Sequence, residues 1–408
     1  MKADLAWPTV DLYPDEFSTI AEEKANHDLV AGAQHVIRRV ILKPPPGESW
    51  TGDSRPDDGD DNTKWHLDWH DGVLFIEFMK RGRLDNYIRA AGIRGTPFPT
   101  QVLWQLFDCL FRGVVGLAYP RQFRYPGARP AEQNVHLQRE TSREKPVLEP
   151  YSTKETIIHL DIDTLNVLVG DFDDSNHNLV PLVKIADLGA ATCQSIKSFR
   201  DMDNTWRMRQ YGKTEVWTPE QFSQQWEYHS FHPACAGLST GGNYSWWTNL
   251  YQIGLIMFSL ITLCEHPIPA VLDYYWLVDP AGNRRKAWSV GVYVMQDKFS
   301  HIDLGLRGLV MRCLAYKPAD RPTMKELEDI LDIYVNTRAG PANKEDQDAQ
   351  EWAKNIFAGP PPPRAWKGRY GDLKDGRASS IWPESARWMR LPQGMHHIRI
   401  AALENLGV

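Results

Sequence analysis

Cysteine is scarce: five in 408 residues, at positions 109, 193, 235, 264 and 313. Their number is odd, their spacing irregular, and no C-x-x-C occurs. This argues against a disulfide framework or a zinc site, and for reduced thiols in an intracellular setting, cytoplasmic or nuclear. Long apolar runs are also missing. None approaches 18 residues, so no membrane partner is expected; Leu250–Leu263 is apolar but short and reads as a buried helix. The N-terminus lacks an apolar signal core. Neither sign of charge dominates, with 46 basic against 52 acidic residues and a net charge of −6. That balance carries no signature of nucleic-acid binding. There are no internal repeats. Tryptophan, by contrast, is plentiful at 16, and is assigned to core and interface packing.

The chain is long enough for one large or two ordinary domains. Its first 15 residues are broken by proline. Helical spacing runs over 17–31, with Gly32 as the stop, and 36–42 is β-branched and strand-like. A polar connector follows over 44–62, with a Pro triplet and the acidic run 57–61, read as a solvated loop. Residues 73–79 form a second strand and 84–91 begin a helix. The segment 99–119 is a long apolar helix, and 120–152 is a polar, basic insertion. Residues 193–217 are irregular, Thr218-Pro219-Glu220-Gln221 opens a short helix, and 231–243 is loop-like. Helices are expected at 247–263, 304–314 and 324–335. From about residue 338, Gly-Pro, charge and a Pro run indicate a linker. The tail behind it carries Trp366, Trp382, Trp388 and Met389, and is either docked through its aromatics or disordered.

The chemistry concentrates in 159–189. Two β-type runs, 167–169 and 180–185, flank the polar loop 171–178, a hairpin pattern punctuated by Gly170. Asp161 and Asn166 precede the first strand and Asp187 follows the second. Pairing the strands brings the three side chains together on one rim. Hard oxygen donors of this kind, few in number, suit Mg²⁺ held together with phosphate oxygens.

H-x-D-x-x-x-x-N, an apolar strand and D-x-G, in that order, resemble the catalytic and metal-binding loops of eukaryotic protein kinases. Downstream, Thr218-Pro219-Glu220 is similar to the A-P-E that closes the activation segment. Asn249 to Gly254 is similar to the D-x-W-x-x-G opening of the large buried helix. Cys313 to Thr323 resembles C-L-x-x-x-P-x-x-R-P-T. In kinases that Arg pairs with the A-P-E Glu, which here implies a Glu220–Arg321 pair. Upstream, Leu74 to Leu84 resembles the last N-lobe strand, the hinge and the next helix. The likeness spans roughly 1–336, is specific in the helical part and weak before residue 70. Its style is similar to divergent kinase-like proteins of filamentous fungi.

The resemblance implies an α+β, two-lobed protein-kinase-like fold with a truncated β-rich N-lobe and a large, mainly helical C-lobe. The implied divisions are a partial N-lobe over 1–79, a C-lobe over 80–336 and a tail over 337–408. It also implies ATP and Mg²⁺ as cofactors, and a protein as substrate or partner. Asp161 would orient a substrate hydroxyl and accept its proton, while Asn166 and Asp187 would hold Mg²⁺. Glu77 and Met79 lie where hinge backbone meets adenine. Glu23, or Glu22, would pair with the ATP-binding lysine, for which Lys2 has the right spacing. Lys2 is either the stub of the lysine-bearing strand or a frayed end. No G-x-G-x-x-G precedes residue 23, so the chain is expected to start inside a kinase domain, by a truncated gene model or by real loss.

Other positions depart from the family's pattern. Leu160 replaces the Arg that receives an activation-loop phosphate, so switching by that route is not expected. Asp163 stands where a Lys normally lies near the γ-phosphate. At 4 Å and an effective dielectric near 20, a unit charge interaction is about 4 kcal/mol, enough to slow transfer by orders of magnitude unless another cation arrives. Lys213 occupies a position where Ser/Thr kinases often carry Thr, with Thr214 beside it. Asn249 replaces an Asp, and Leu188 a Phe. Three functions follow: an ATP- and Mg²⁺-dependent Ser/Thr-type protein kinase, a pseudokinase acting as a binding or scaffold module, and a small-molecule phosphotransferase. T-P-E and R-P-T speak against the third.

Overall fold

A computed structural model describes residues 2–3, 20–40, 73–120, 156–173, 177–194, 202–226, 239–264, 271–278, 282–336 and 344–358. The predicted connector over 44–62, nearly all of the insertion over 120–152, and Trp366, Trp382, Trp388 and Met389 lie outside these.

The N-terminal part is small. Strand β1 (Lys2–Ala3) pairs antiparallel with β2 (Val73–Leu74), with Lys2 opposite Leu74. Helix α1 (Ile20–Leu29) ends two residues before the end of the 17–31 span read from the sequence, whose residues 17–19 lie outside the described residues. The strand expected over 36–42 is realised as two bridges, Val36 parallel to Ile185 and Arg39 antiparallel to Ile76. Helix α1 docks through Asn26, whose side-chain amide donates to the Ala191 carbonyl at 2.9 Å. Helix α2 (Leu84–Arg94) ends at Gly95, which takes φ +64. A left-handed residue there turns the chain off the helix without a Cβ clash.

Helix α3 (Thr100–Ala118) is buried almost all round. A helix apolar on every side belongs inside a protein. Strand β3 (Thr156–Ile158) follows, then the hairpin of β4 (Val167–Val169) and β5 (Val183–Ile185), and β6 (Thr192–Gln194), which returns to pair with β3. The hairpin register sets Val167 opposite Ile185 and Val169 opposite Val183, and all four face the core. The stretch 193–217, irregular by sequence, contains β6 and helix α4 (Met202–Met208). Its few apolar residues hid both. Helix α5 (Pro219–Phe222) starts with proline in its first turn, where the missing N–H costs nothing.

Helix α6 (Trp246–Thr262) crosses α3 at the centre of the core. Beyond it, β7 (Asp273–Val278) and β8 (Arg284–Ser289) form a hairpin, which has no counterpart in the sequence reading. Helices α7 (Leu304–Cys313) and α8 (Met324–Asn336) complete the bundle. Arg112 on α3 ties α8 down, donating to Glu328 and to Asp332 at 3.1 Å. The last described helix, α9 (Lys344–Phe357), lies in the predicted linker and tail. It buries Ala349, Ala353, Ile356 and Phe357 in the main core, with Trp352 against Phe98 and Phe357 against Tyr87. The class is α+β, with small sheets and a dominant helical body. No helix among the described residues is long and apolar enough to cross a membrane.

Candidate active site

The β4–β5 pairing sets the ends of the two strands side by side. Ala186 donates its N–H to the Asn166 carbonyl at 2.8 Å, which sets the residue before Asp187 directly across from Asn166. Asn166 turns its side chain back to the preceding loop. Its Nδ2 donates to Asp161 Oδ2 at 2.9 Å and to the Asp161 carbonyl at 2.8 Å. With both amide hydrogens committed, Oδ1 is the atom left to accept or ligate.

The loop is built under strain. Leu160 has φ 62 and Asp187 φ 65, left-handed conformations that cost a non-glycine residue roughly 1–2 kcal/mol each. Leu160 is anchored by burial, packing with Ile158, Met208, Trp226 and Tyr244. His159 is fully buried between two neighbours. Its N–H donates to Asn249 Oδ1 at 2.9 Å, and its ring Nε2 meets the Ala186 carbonyl at 3.0 Å. Burial holds the imidazole below its ordinary pKa, against the pull of Asp161 and Asp187, so the ring is neutral at pH 7. The Asp161 N–H then donates to Nδ1 at 3.3 Å.

Helix α6 supplies the brace. Asn249 Nδ2 donates to the Ile157 carbonyl at 2.8 Å, and Gln252 receives the Ile162 N–H at 3.3 Å while donating to the Val216 carbonyl at 3.1 Å. One helix face therefore fixes both the 157–162 loop and the segment at 216. Asn249 does this with a neutral amide.

A cation reaches this loop from another segment of the chain. Lys213 Nζ lies 2.8 Å from Asp161 Oδ2 and 2.9 Å from Asp163 Oδ2, and the Lys213 N–H donates to Asp161 Oδ1 at 2.9 Å. Burial works to lower the Lys213 pKa, but Asp161 and Asp163 outweigh it and hold the ammonium above its ordinary value. Asp163 is buried as well. Its Oδ1 takes the N–H groups of Leu165 and Asn166 at 2.9 and 2.8 Å, which satisfies the carboxylate on its far side. Gly212 makes the approach possible. It has φ +76, and a Cβ there would stand 2.0 Å from the Leu160 carbonyl oxygen. No side chain fits.

Glu220 and Arg321 join as the sequence implied, 2.7 Å apart and both fully buried. The pair is bidentate, with Arg321 Nη2 to Glu220 Oε2 at 2.9 Å. Thr248 donates to Glu220, and Arg321 also donates to the Ala315 and Trp247 carbonyls.

The upper side is less complete. Glu77 directs its carboxylate to Lys184 Nζ at 2.7 Å and to the Arg38 N–H at 2.7 Å. Its carbonyl and the Met79 N–H enter no hydrogen bond among the described residues, and Phe78 between them is 88% exposed. Glu23 is buried on α1, 4.0 Å from His27 Nε2. Lys2 pairs through its backbone with Leu74.

No family model and no curated protein matches this chain. Among solved structures, it is similar to a chain of the CAK complex of Chaetomium thermophilum bound to ATP-gamma-S. The two share 16% identity over 83% of each chain, with a TM-score of 0.46.

Two functional contacts escaped the sequence. Lys213 stood out there as an unusual residue, not as the partner of Asp161 and Asp163. Lys184 sits in β5 as an ordinary alternating strand residue, yet it is 2% exposed and paired with Glu77.

Proposed function

We propose that the chain is a protein kinase-like phosphotransferase, moving the terminal phosphoryl group of ATP to Ser/Thr hydroxyls of a protein, with Lys213 as the cation of its catalytic loop. The observation that carries this reading is the cluster of Asp161, Asn166 and Lys213 on the rim of the β4–β5 hairpin. Phosphoryl transfer needs positioning and charge neutralisation more than covalent chemistry. Asp161 holds the acceptor hydroxyl and takes its proton. Lys213 balances the carboxylates beside the transferred group. On this reading the adenine edge meets the Glu77 carbonyl and Met79 N–H, which enter no hydrogen bond among the described residues, and Lys2 with Glu23 takes the part of the lysine–glutamate pair at the phosphates.

The donors at 166 and 187 fit Mg²⁺. Both are hard oxygens, and the Asn166 hydrogen bonds leave Oδ1 pointing to ligation. Bound there, the ion would neutralise phosphate charge.

Leu160 supports activity without a phosphate switch. An apolar side chain fills the place of the phosphate-receiving Arg and packs on Met208 and Trp226, so hydrophobic contact orders this segment.

A second reading, a pseudokinase scaffold, draws on one observation. Both Asp161 carboxylate oxygens are engaged by Lys213, and one of them also by Asn166. Asp161 must exchange one of these bonds for a substrate hydroxyl. Transfer from radiolabelled ATP with Mg²⁺ to a peptide mixture separates the two. Transfer by wild type that is lost in Asp187→Ala supports the kinase. Nucleotide binding without transfer in wild type supports the scaffold.

A further inference from the structure

Three side chains outside the phosphoryl-transfer site meet behind the hairpin. His35 follows α1, Cys109 lies on α3, and His177 lies on the connection between β4 and β5. All three are buried, and their ligand atoms lie within 4.8 Å of one another. Cys109 Sγ is 3.7 Å from His177 Nδ1. The two imidazole rings are 5.4 Å apart, edge to face. A tetrahedral zinc ion, with Zn–S of about 2.3 Å and Zn–N of about 2.0 Å, would set sulfur and nitrogen roughly 3.5 Å apart. The Cys109–His177 spacing of 3.7 Å is already close to this, and the other ligand atoms, within 4.8 Å, must draw in by as much as about 1 Å.

We propose that His35, Cys109 and His177 form a zinc site, with two imidazoles and one thiolate as ligands and a water molecule in the fourth position. The donor set selects the metal. Nitrogen and sulfur suit zinc and exclude Mg²⁺ and Ca²⁺, which take oxygen. Among the described residues, His177 Nε2 is buried without a hydrogen-bond partner.

The position gives the site a purpose. The His35 carbonyl accepts the Ile185 N–H at 2.9 Å, and His177 exchanges backbone hydrogen bonds with Asp173 at 2.9 and 3.1 Å. Zinc at this point would clamp the segment after α1, helix α3 and the far end of the hairpin. The other end of that hairpin carries Asn166 and Asp187. Spacing gave no hint of this, because the ligands come from three distant parts of the chain. The proposal is independent of any phosphoryl transfer.

The test uses the full chain, stripped with a chelator and titrated with Co²⁺ alone. A thiolate-to-cobalt charge-transfer band with intense tetrahedral visible bands should saturate at about one equivalent per chain, and Zn²⁺ should displace it. Cys109→Ser should lose the charge-transfer band, and Cys193→Ser and Cys264→Ser should keep it. His177→Gln should weaken binding at least tenfold, in the range known for altered metal surroundings. Zinc should raise the melting temperature of wild type and not of Cys109→Ser. No charge-transfer band in folded wild type would overturn the proposal. So would a band that survives in Cys109→Ser.

Discussion

Two ion-paired clusters divide the helical body. Around Glu220 and Arg321, both side chains are fully buried and every group has a fixed partner. Around Asp161, Asp163 and Lys213, the lysine is 39% exposed and reaches two carboxylates from another segment. The first cluster has no room for another molecule. The second has its charge at a solvent boundary, where partners can exchange. A buried pair fastens a fold because removing one partner strands the other charge. Lys213 is partly solvated, so its pairing contributes less to stability than a fully buried latch does, and its bonds can exchange. The comparison separates the residues that hold this protein together from those that the proposed phosphoryl transfer would use.

That division can be broken by mutation. The largest stability effect is expected for Arg321→Ala, at about 3–5 kcal/mol from a buried carboxylate left alone. Thermal denaturation should register a fall of the order of 10 °C; an unchanged midpoint would show that the latch is ornamental. Lys213→Met should act the other way round. Stability should fall less than in Arg321→Ala, because Asp163 keeps the Leu165 and Asn166 N–H groups, while phosphoryl transfer falls by roughly two to three orders of magnitude, as expected for a charge contribution of about 4 kcal/mol. Equal loss in both properties would erase the distinction between the clusters.

Gly212→Ala should mimic Lys213→Met more weakly. Its added Cβ meets the Leu160 carbonyl and pushes residue 213 away from Asp161, so transfer should fall more than melting temperature does. The smallest effect concerns pH. His159 is held neutral by burial, while an unfolded histidine titrates near about 6.5. Below that pH the unfolded chain binds a proton that the folded chain refuses, so stability falls as pH drops through 6.5 toward the folded value. Denaturant titrations at several pH values should show this slope, and His159→Gln should flatten it.

How much of this was legible in the sequence depended on whether neighbours in space had distinctive neighbours in sequence. Glu220 and Arg321 sit in short, patterned segments, so their pairing could be named although they lie 101 residues apart. The rim of the hairpin was legible because strand alternation fixes which ends meet. Lys213 was harder. Its reach to Asp161 and Asp163 depends on a left-handed turn at Gly212 pressed against a left-handed Leu160, and no local pattern announces two such turns in contact. Helix α9 was hidden by the Gly-Pro and charged residues around it. The signal was there all the same, in the spacing of Ala349, Ala353, Ile356 and Phe357 along one face. The β7–β8 hairpin exposes Tyr274, Trp276 and Val278 while burying Tyr275, so β7 is apolar on both faces and lacks the polar-out, apolar-in alternation that betrays a strand.

The central claim is that the positive charge expected at 163 has moved to 213. The direct test is a charge swap, Asp163→Lys with Lys213→Thr, assayed for phosphoryl transfer beside wild type and each single variant. Both singles should be strongly impaired and the double variant should recover most of the wild-type rate. A double variant no better than the singles, or a Lys213→Thr single that transfers as wild type does, would contradict it.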